Sequence, residues 1–322
     1  MTAPAIELRH IGRVFGTGPK AVTALADVSF DVGPGQIVAL LGANGAGKTT
    51  LAKILSTSLL PTSGSARVLG LDVVDNVKDV RASLSVVFGG DRGLYTRLSA
   101  RENLRFFGML AGVSRAELRH RVPAMLDQVG LTDAADRRVE TYSKGMRQRL
   151  HIAIGLIAQP RVLLLDEPTI GLDPIEADRL RDSVAGLRSE GVSVLLTSHY
   201  LLDVERLADR VVMLESGRVT ADMPLTEFVG HAGYAAVIAV RVRGALPDLG
   251  GVLPSDVTVD SCDEVSDGAE LTLRVRTWRA GLLTQLGALL DSCDVVEVQV
   301  RPARLEEAFA SFSGRPSGAG RT

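Results

Sequence analysis

Residues 1–228 alternate short apolar runs with stretches of helical period. Residues 36–41 (QIVALL), 84–88 (LSVVF), 162–165 (VLLL), 193–196 (SVLL) and 211–214 (VVML) have the continuous apolar character of strands buried on both faces. Helical patterns fill 47–59, 100–110, 115–128, 144–158, 175–188 and 200–208. Pro123 predicts a kink or a split in the third of these. The rhythm is that of an α/β domain with a largely parallel sheet.

Around residues 227–234 the pattern changes, and Gly230 and Gly233 read as a linker. Beyond it, 237–242 reads as a strand. Leu271, Leu273 and Val275 alternate with Thr272, Arg274 and Arg276, as on a half-buried strand. Leu282, Leu283, Leu286, Leu289 and Leu290 fall on one helical face. Val296, Val298 and Val300 alternate with Glu297 and Gln299, and Leu305, Phe309 and Phe312 mark a short amphipathic helix. The expected organisation is a first domain over 1–228, a small α+β domain over 235–313 and a disordered tail over 314–322.

At 322 residues, two domains are also what length alone predicts. The formal net charge is −2, and neither part of the chain is a basic module, so nucleic acid is not an expected partner. Cys262 and Cys293 offer neither a disulfide framework nor a zinc spacing. The longest uncharged stretch, 32–47, has 16 residues and is broken by Gly33, Pro34, Gly35 and Gly42. A membrane span needs about 20 apolar residues. The opening residues, MTAPAIELRH, lack the basic and apolar regions of a signal peptide. These features predict a cytoplasmic chain whose membrane role, if any, comes through a partner.

Residues 42–50 read GANGAGKTT and match G-x-x-x-x-G-K-[ST] between a strand pattern and a helix pattern, the context that the motif requires. Gly42, Gly45 and Gly47 let the backbone curl so that the amides of Ala43, Asn44, Ala46 and their neighbours turn inward toward anionic oxygens. The helix that follows, with Thr50 in its first turn, presents its positive end to the same phosphates. Lys48 supplies a point charge for the β- and γ-phosphates, and the Thr49 hydroxyl is placed for Mg²⁺. An ordinary glycine-rich turn explains the glycines but not the lysine and hydroxyl that follow them.

Residues 162–167 read VLLLDE, an apolar strand ending in two acids. Alternation along a strand sends Asp166 and Glu167 to opposite faces, so the two serve different ends. Asp166 takes the metal side, and Glu167 orients or deprotonates the attacking water. Acids at a strand end can also simply face solvent; the phosphate loop favours the functional reading.

With these residues in place, the chain resembles the ATP-binding subunit of an ATP-binding-cassette (ABC) transporter over residues 4–225. Ser143-Lys144-Gly145-Met146-Arg147-Gln148, preceded by Tyr142, resembles the family signature usually written LSGGQ and stands 23 residues before Asp166. Ile170-Gly171-Leu172-Asp173 resembles the D-loop, His199 after Thr197-Ser198 the switch histidine, and Phe15 the aromatic that stacks on adenine. The resemblance implies a phosphate-loop NTPase fold of the ABC type, a mixed sheet core with a helical subdomain over about 90–145. It also implies that two copies face each other head to tail and sandwich Mg-ATP. Ser143 and Gly145 of one copy then meet the γ-phosphate on the phosphate loop of the other, at the positive end of a helix. His199 senses the same phosphate, Asp173 lies at the interface, and hydrolysis lets the copies part.

Two departures qualify the likeness. The family usually has a Gln after the strand that ends at Phe88, reaching the metal and lying where the membrane permease docks. This chain reads Gly89-Gly90-Asp91-Arg92. Either the Asp91 carboxylate ligates Mg²⁺ in its place or water does. Lys144 and Met146 replace the usual Gly and Gln of the signature. The YSKGM wording and the ending VEVQVRPARLEEAFASFSG resemble exporters of drugs and antibiotics whose ATPase and permease are separate chains. The resemblance thus implies an ATPase subunit at the cytoplasmic face of the membrane, driving a separate permease. The competing class is a soluble ABC ATPase acting in DNA or translation processes. Lys48 and Asp166 are 118 residues apart with no coiled coil between them, and there is one phosphate loop, which weighs against it. A pseudo-ATPase scaffold is disfavoured because Lys48, Asp166, Glu167 and His199 are all present.

Overall fold

A computed structural model describes residues 3–88, 93–198, 200–244, 246, 253–265 and 267–312. The chain divides into two compact units between Pro224 and Leu225.

The larger unit contains strands β1 (Ile6–Phe15), β2 (Val22–Val32), β3 (Ile37–Leu41), β4 (Ser63–Val68), β5 (Leu71–Asp72), β6 (Leu84–Phe88), β7 (Val162–Asp166), β8 (Ser193–Thr197), β9 (Arg210–Glu215) and β10 (Arg218–Pro224). Its helices are α1 (Lys48–Leu55), α2 (Val77–Ser83), α3 (Ala100–Leu110), α4 (Arg115–Gln128), α5 (Lys144–Leu156), α6 (Pro174–Gly186) and α7 (Leu201–Leu207). The ten strands form one sheet in the order β5-β4-β1-β2-β10-β9-β3-β8-β7-β6. Strands β9, β3, β8, β7 and β6 are mutually parallel, whereas β5, β4, β1 and β2 are antiparallel. The sheet is therefore mixed, and the antiparallel half is the part the apolar runs do not announce. Register shifts near Leu8, Ile11 and Arg13 interrupt β1, so its side chains do not keep a simple period of two.

The parallel half is buried on both faces. Leu163, Leu165, Val194 and Leu196 belong to one core, shared with α3 to α6; Val162, Leu164 and Leu195 belong to the other, shared with α1 and the antiparallel strands. Helices α3 and α4 each begin with a reciprocal capping box, Ser99 with Glu102 and Ser114 with Glu117. Helix α4 runs unbroken through Pro123. The expected split does not occur: the ring lies on the exposed face, where the carbonyl it leaves unbonded can meet water.

The smaller unit contains α8 (Leu225–Gly230), β11 (Ala236–Arg243), β12 (Val257–Val265), β13 (Gly268–Val275), α9 (Leu282–Leu289), β14 (Asp294–Pro302) and α10 (Leu305–Phe312). Part of the segment read as a linker is thus helix α8, which packs against α10. The sheet order is β12-β13-β11-β14. Helix α9 covers one face through Leu282 and Leu286, with Leu290 just past its end, against Ile238, Val240, Leu271 and Leu273. The expected tail over 314–322 lies outside the described residues. Among the described residues no helix is long and apolar enough to cross a membrane.

Candidate active site

The site grows from the ends of the parallel strands. Strand β3 stops at Leu41, and the chain turns through 42–47 into α1. The glycines of this loop have different causes. Gly42 has φ 153°, and a Cβ there would fall 2.2 Å from the Leu214 carbonyl oxygen. Gly47 has φ 112° and would strike Leu25 and the Ala24 carbonyl. Gly45 has φ 86° but open space around it. Two glycines therefore let the loop lie close to its own protein, and the third serves the curl alone. Ala43, Asn44 and Gly45 form an exposed arc, whereas Ala46, Gly47 and Lys48 are buried. Thr49 is exposed and Thr50 half-buried.

The Lys48 ammonium donates to the carbonyls of Gly42 at 2.6 Å and Ala43 at 3.1 Å. Burial pulls its pKa below the ordinary lysine value, and the carboxylates of Glu167 and Asp166 oppose that shift. Those acids lie at the end of β7, one strand beyond β8 from β3. Thr197 at the end of β8 is opposite both Leu40 and Asp166 in register, and its hydroxyl donates to the Asp166 carboxylate. The structure therefore brings Lys48, Asp166 and Glu167 together.

The two acids are separated by a turn of the backbone rather than by strand alternation. Strand β7 ends at Asp166, and Glu167 has φ 51°, the left-handed region. That conformation costs a non-glycine residue roughly 1–2 kcal/mol. Its N–H donates to the Thr197 carbonyl at 2.9 Å, which holds the turn against β8.

A buried polar hub, unannounced by the motifs, braces this turn. Asp203 at the start of α7 is fully buried. It accepts the Thr169 hydroxyl, the Ser198 hydroxyl at 2.8 Å, and Nε and Nη2 of Arg181 at 2.8 and 2.7 Å. Thr169 lies two residues after Glu167, and Ser198 directly follows Thr197, so one carboxylate ties the two loops together. Its sequence signal is faint: Asp203 and Arg181 each share a helix face with apolar neighbours, Leu207 for the first and Ala177 and Val184 for the second.

The signature lies elsewhere. Ser143 caps α5 by accepting the Met146 N–H at 3.1 Å. Asp173 caps α6 by accepting the Glu176 N–H at 2.9 Å. The two helix starts meet closely, since a Cβ on Gly145 would fall 2.6 Å from the Glu176 carboxylate. Lys144 reaches the D-loop, where its Nζ lies 2.1 Å from the position of a Cβ on Gly171. Helix α5 packs with α3, α4, α6 and β6, whereas α1 packs with β2, β4 and β7, so signature and phosphate loop hang on different parts of the chain. Phe15 ends β1 opposite Val22 of β2, under the Arg13 guanidinium at 4.6 Å, and β2 abuts the phosphate loop at Ala24 and Leu25. Asp91 and His199 lie outside the described residues.

These parts define a phosphate-loop ATPase. The family described as "ABC transporter" matches residues 25–170. The chain is 42% identical over 324 residues to the doxorubicin resistance ATP-binding protein DrrA of Mycobacterium tuberculosis, covering 97% of this chain and 95% of the relative. It is 35% identical to the daunorubicin/doxorubicin resistance ATP-binding protein DrrA of Streptomyces peucetius, over 97% of this chain and 93% of that one. Among solved structures it is similar to an ATP-binding subunit of an ABC transporter, with a TM-score of 0.62 and 31% identity, over 70% of this chain and 91% of that chain. The chain belongs to the ABC transporter family and is an ATP-hydrolysing subunit of it.

The hub makes the turn after Glu167 sensitive to single atoms. Thr169→Val removes one hydroxyl arm without changing the loop's bulk. It should slow ATP turnover about tenfold, a rise of about 1.4 kcal/mol in the barrier, while leaving ATP affinity at the Lys48 loop unchanged. Steady-state kinetics beside nucleotide titration check this; unaltered turnover would show that the hub does not set the site.

Proposed function

We propose that this chain powers a separate membrane permease that exports a drug or natural product, hydrolysing Mg-ATP between two of its own copies. The observation that carries the composite site is the division just described. The signature helix and the phosphate loop are built on different parts of one chain, each with a positive helix end presented by its own cap or loop. A relative at 25% identity and TM-score 0.62, over 68% of this chain and 98% of that one, is a bacterial ABC transporter cassette, MJ0796, solved as a dimer.

In this reading the loop amides of 42–47 and the Lys48 ammonium hold the β- and γ-phosphates, and Phe15 stacks on the adenine. Ser143 and Gly145 of the second copy close over the γ-phosphate, with Asp173 beside them. The Glu167 carboxylate receives a proton from the attacking water as its oxygen bonds to the γ-phosphorus. The bond from that phosphorus to the bridging oxygen breaks, giving ADP and phosphate. The strained turn at Glu167 and its tie to Thr197 fix the carboxylate for this step. His199, two residues beyond β8 in sequence, senses the γ-phosphate in this reading, as the family resemblance implies.

For Mg²⁺ the donors are the exposed Thr49 hydroxyl and the Asp166 carboxylate, with Asp91 as a third candidate. Among the described residues no cluster of three acids, histidines or cysteines forms a closed metal cage. An open set of hard oxygens fits an ion that keeps several waters and takes its other ligands from phosphate. The bound ion supplies charge neutralisation at the phosphates.

The permease reading has its own support. A cavity of about 360 Å³ opens beside the strand end at Phe88, lined by Val87, Phe88, Phe107, Leu110, His151 and Gly155 among others. Phe88 and Leu110 are 48% and 73% exposed on its rim. An exposed apolar groove marks an interaction surface. Phe88 and Gly93, which line it, flank in sequence the segment where the family resemblance places the permease contact. The resistance roles in the relatives' names favour export and a place at the cytoplasmic face of the membrane over work on DNA or translation.

Glu167→Gln keeps the loop that binds ATP and loses the proton acceptor. It should bind ATP, hydrolyse it slowly and, at concentrations where the nucleotide-free chain is monomeric, accumulate as a dimer; gel filtration without an ATP-dependent dimer there would count against the composite site. Leu110→Arg places a charge on the groove's rim. Washed membranes from the cell of origin should retain the wild-type chain and release this variant, with ATP binding intact; equal retention would move the permease contact elsewhere.

A further inference from the structure

The two edges of the small unit's sheet are built differently. Strand β12 carries Asp260, Asp263 and Glu264, and its register shifts between Val259 and Ser261. Charges and bulges are devices that discourage pairing at an edge. Strand β14, on the opposite edge, reads DVVEVQVRP. Its register shift is confined to the start, near Val296, and Glu297–Arg301 pair one for one with β11, from Glu297 opposite Arg241 to Arg301 opposite Val237. Val296, Val298 and Val300 are 52%, 51% and 47% exposed. Val298 and Val300 lie opposite Val240 and Ile238, both buried, so these valines belong to the core face. Val298 borders a groove of about 480 Å³ along α9, whose Leu283 is also exposed. Among the described residues, a strand that the alternation of valines predicts as half-buried is thus left open on its outer edge.

We propose that β14 pairs antiparallel with β14 of a second copy, about a two-fold axis through Gln299. The charge pattern selects this register. With the axis at Gln299, Glu297 of each copy stands opposite Arg301 of the other, and Val298 opposite Val300. An axis at Val298 sets Glu297 against Gln299, and one at Val300 sets Arg301 against Gln299; both set a charge opposite a neutral amide rather than opposite a charge of the other sign. On the Glu297 face, the row Glu270, Arg241, Glu297 already alternates in sign across β13, β11 and β14, and Arg301 of the second copy continues it. Opposite charges directly across a strand pair stabilise it, and like charges destabilise it. On the other face, the paired valines extend the apolar layer under α9 past the strand edge. The result is one eight-stranded sheet with an isologous interface. It needs no nucleotide, and so is separate from the ATP-bridged contact proposed above.

Sedimentation velocity of the full chain without nucleotide tests this. The wild type should dimerise reversibly. Glu297→Arg and Arg301→Glu each set like charges opposite each other twice and should weaken the dimer roughly tenfold. An equimolar mixture of the two variants restores both opposite-charge pairs and should form the heterodimer; the double variant should again form a homodimer. Unchanged thermal melts show that the variants fold, and the mixture serves as an internal control, since misfolded chains would not pair. A wild type that stays monomeric, single variants that dimerise like the wild type, or a mixture that fails to recover would each overturn the proposal.

Discussion

The register of three parallel strands governs this site. Leu40 of β3 and Asp166 of β7 both lie opposite Thr197 of β8, so the strands end level on one edge of the sheet. Loops at the carboxyl ends of parallel strands are where such folds bind ligands. Here that edge receives the phosphate loop, the acid pair and the Thr197 hydroxyl at once. A slip of one residue in β7 would turn Asp166 from the Thr197 hydroxyl to the other face. The register is held because every side chain of β3 and β8, and the four apolar ones of β7, is buried, most of them in one of two cores.

Around this rigid edge the polar groups are few and mutually braced. The Glu167 turn is strained, and Thr197 and the Asp203 hub hold it. Arg181 balances the buried Asp203 and carries the tie onward to α6, the helix that Asp173 caps. Removing one member of a buried ion pair costs about 3–5 kcal/mol, so loss of either Asp203 or Arg181 alone is strongly destabilising. Thr169 after the acid pair, Ser198 after β8 and Arg181 of α6 are consequently tied to one carboxylate, while the signature sits on α5 against the helical core.

Much of this was legible in the chain. Strands buried on both faces appear as unbroken apolar runs, and the runs at 84–88 and 162–165 coincide with β6 and β7 to within a residue. The phosphate loop, acid pair and signature are contiguous motifs, each beside the element that its chemistry requires. Other features were hidden for physical reasons. The antiparallel half escaped because bulges in β1 disrupt its period. The left-handed turn at Glu167 depends on a hydrogen bond from a strand distant in sequence. Asp203 lies on an apolar helix face, where an acid is ordinarily exposed, and only its three distant donors explain it. Alternation in 296–300 announced a strand but not that its outer edge is open. Pro123 announced a split that its exposed position in α4 does not need.

The central claim is that one chain holds the phosphate-gripping and water-activating groups, and that a second copy completes the site. The most direct measurement is the ATPase rate per chain as a function of protein concentration at saturating ATP. A shared site requires the rate per chain to rise with concentration and then level off as the dimer fills. A rate per chain that stays constant down to the lowest concentrations would show that each chain's site is complete by itself and would contradict the account.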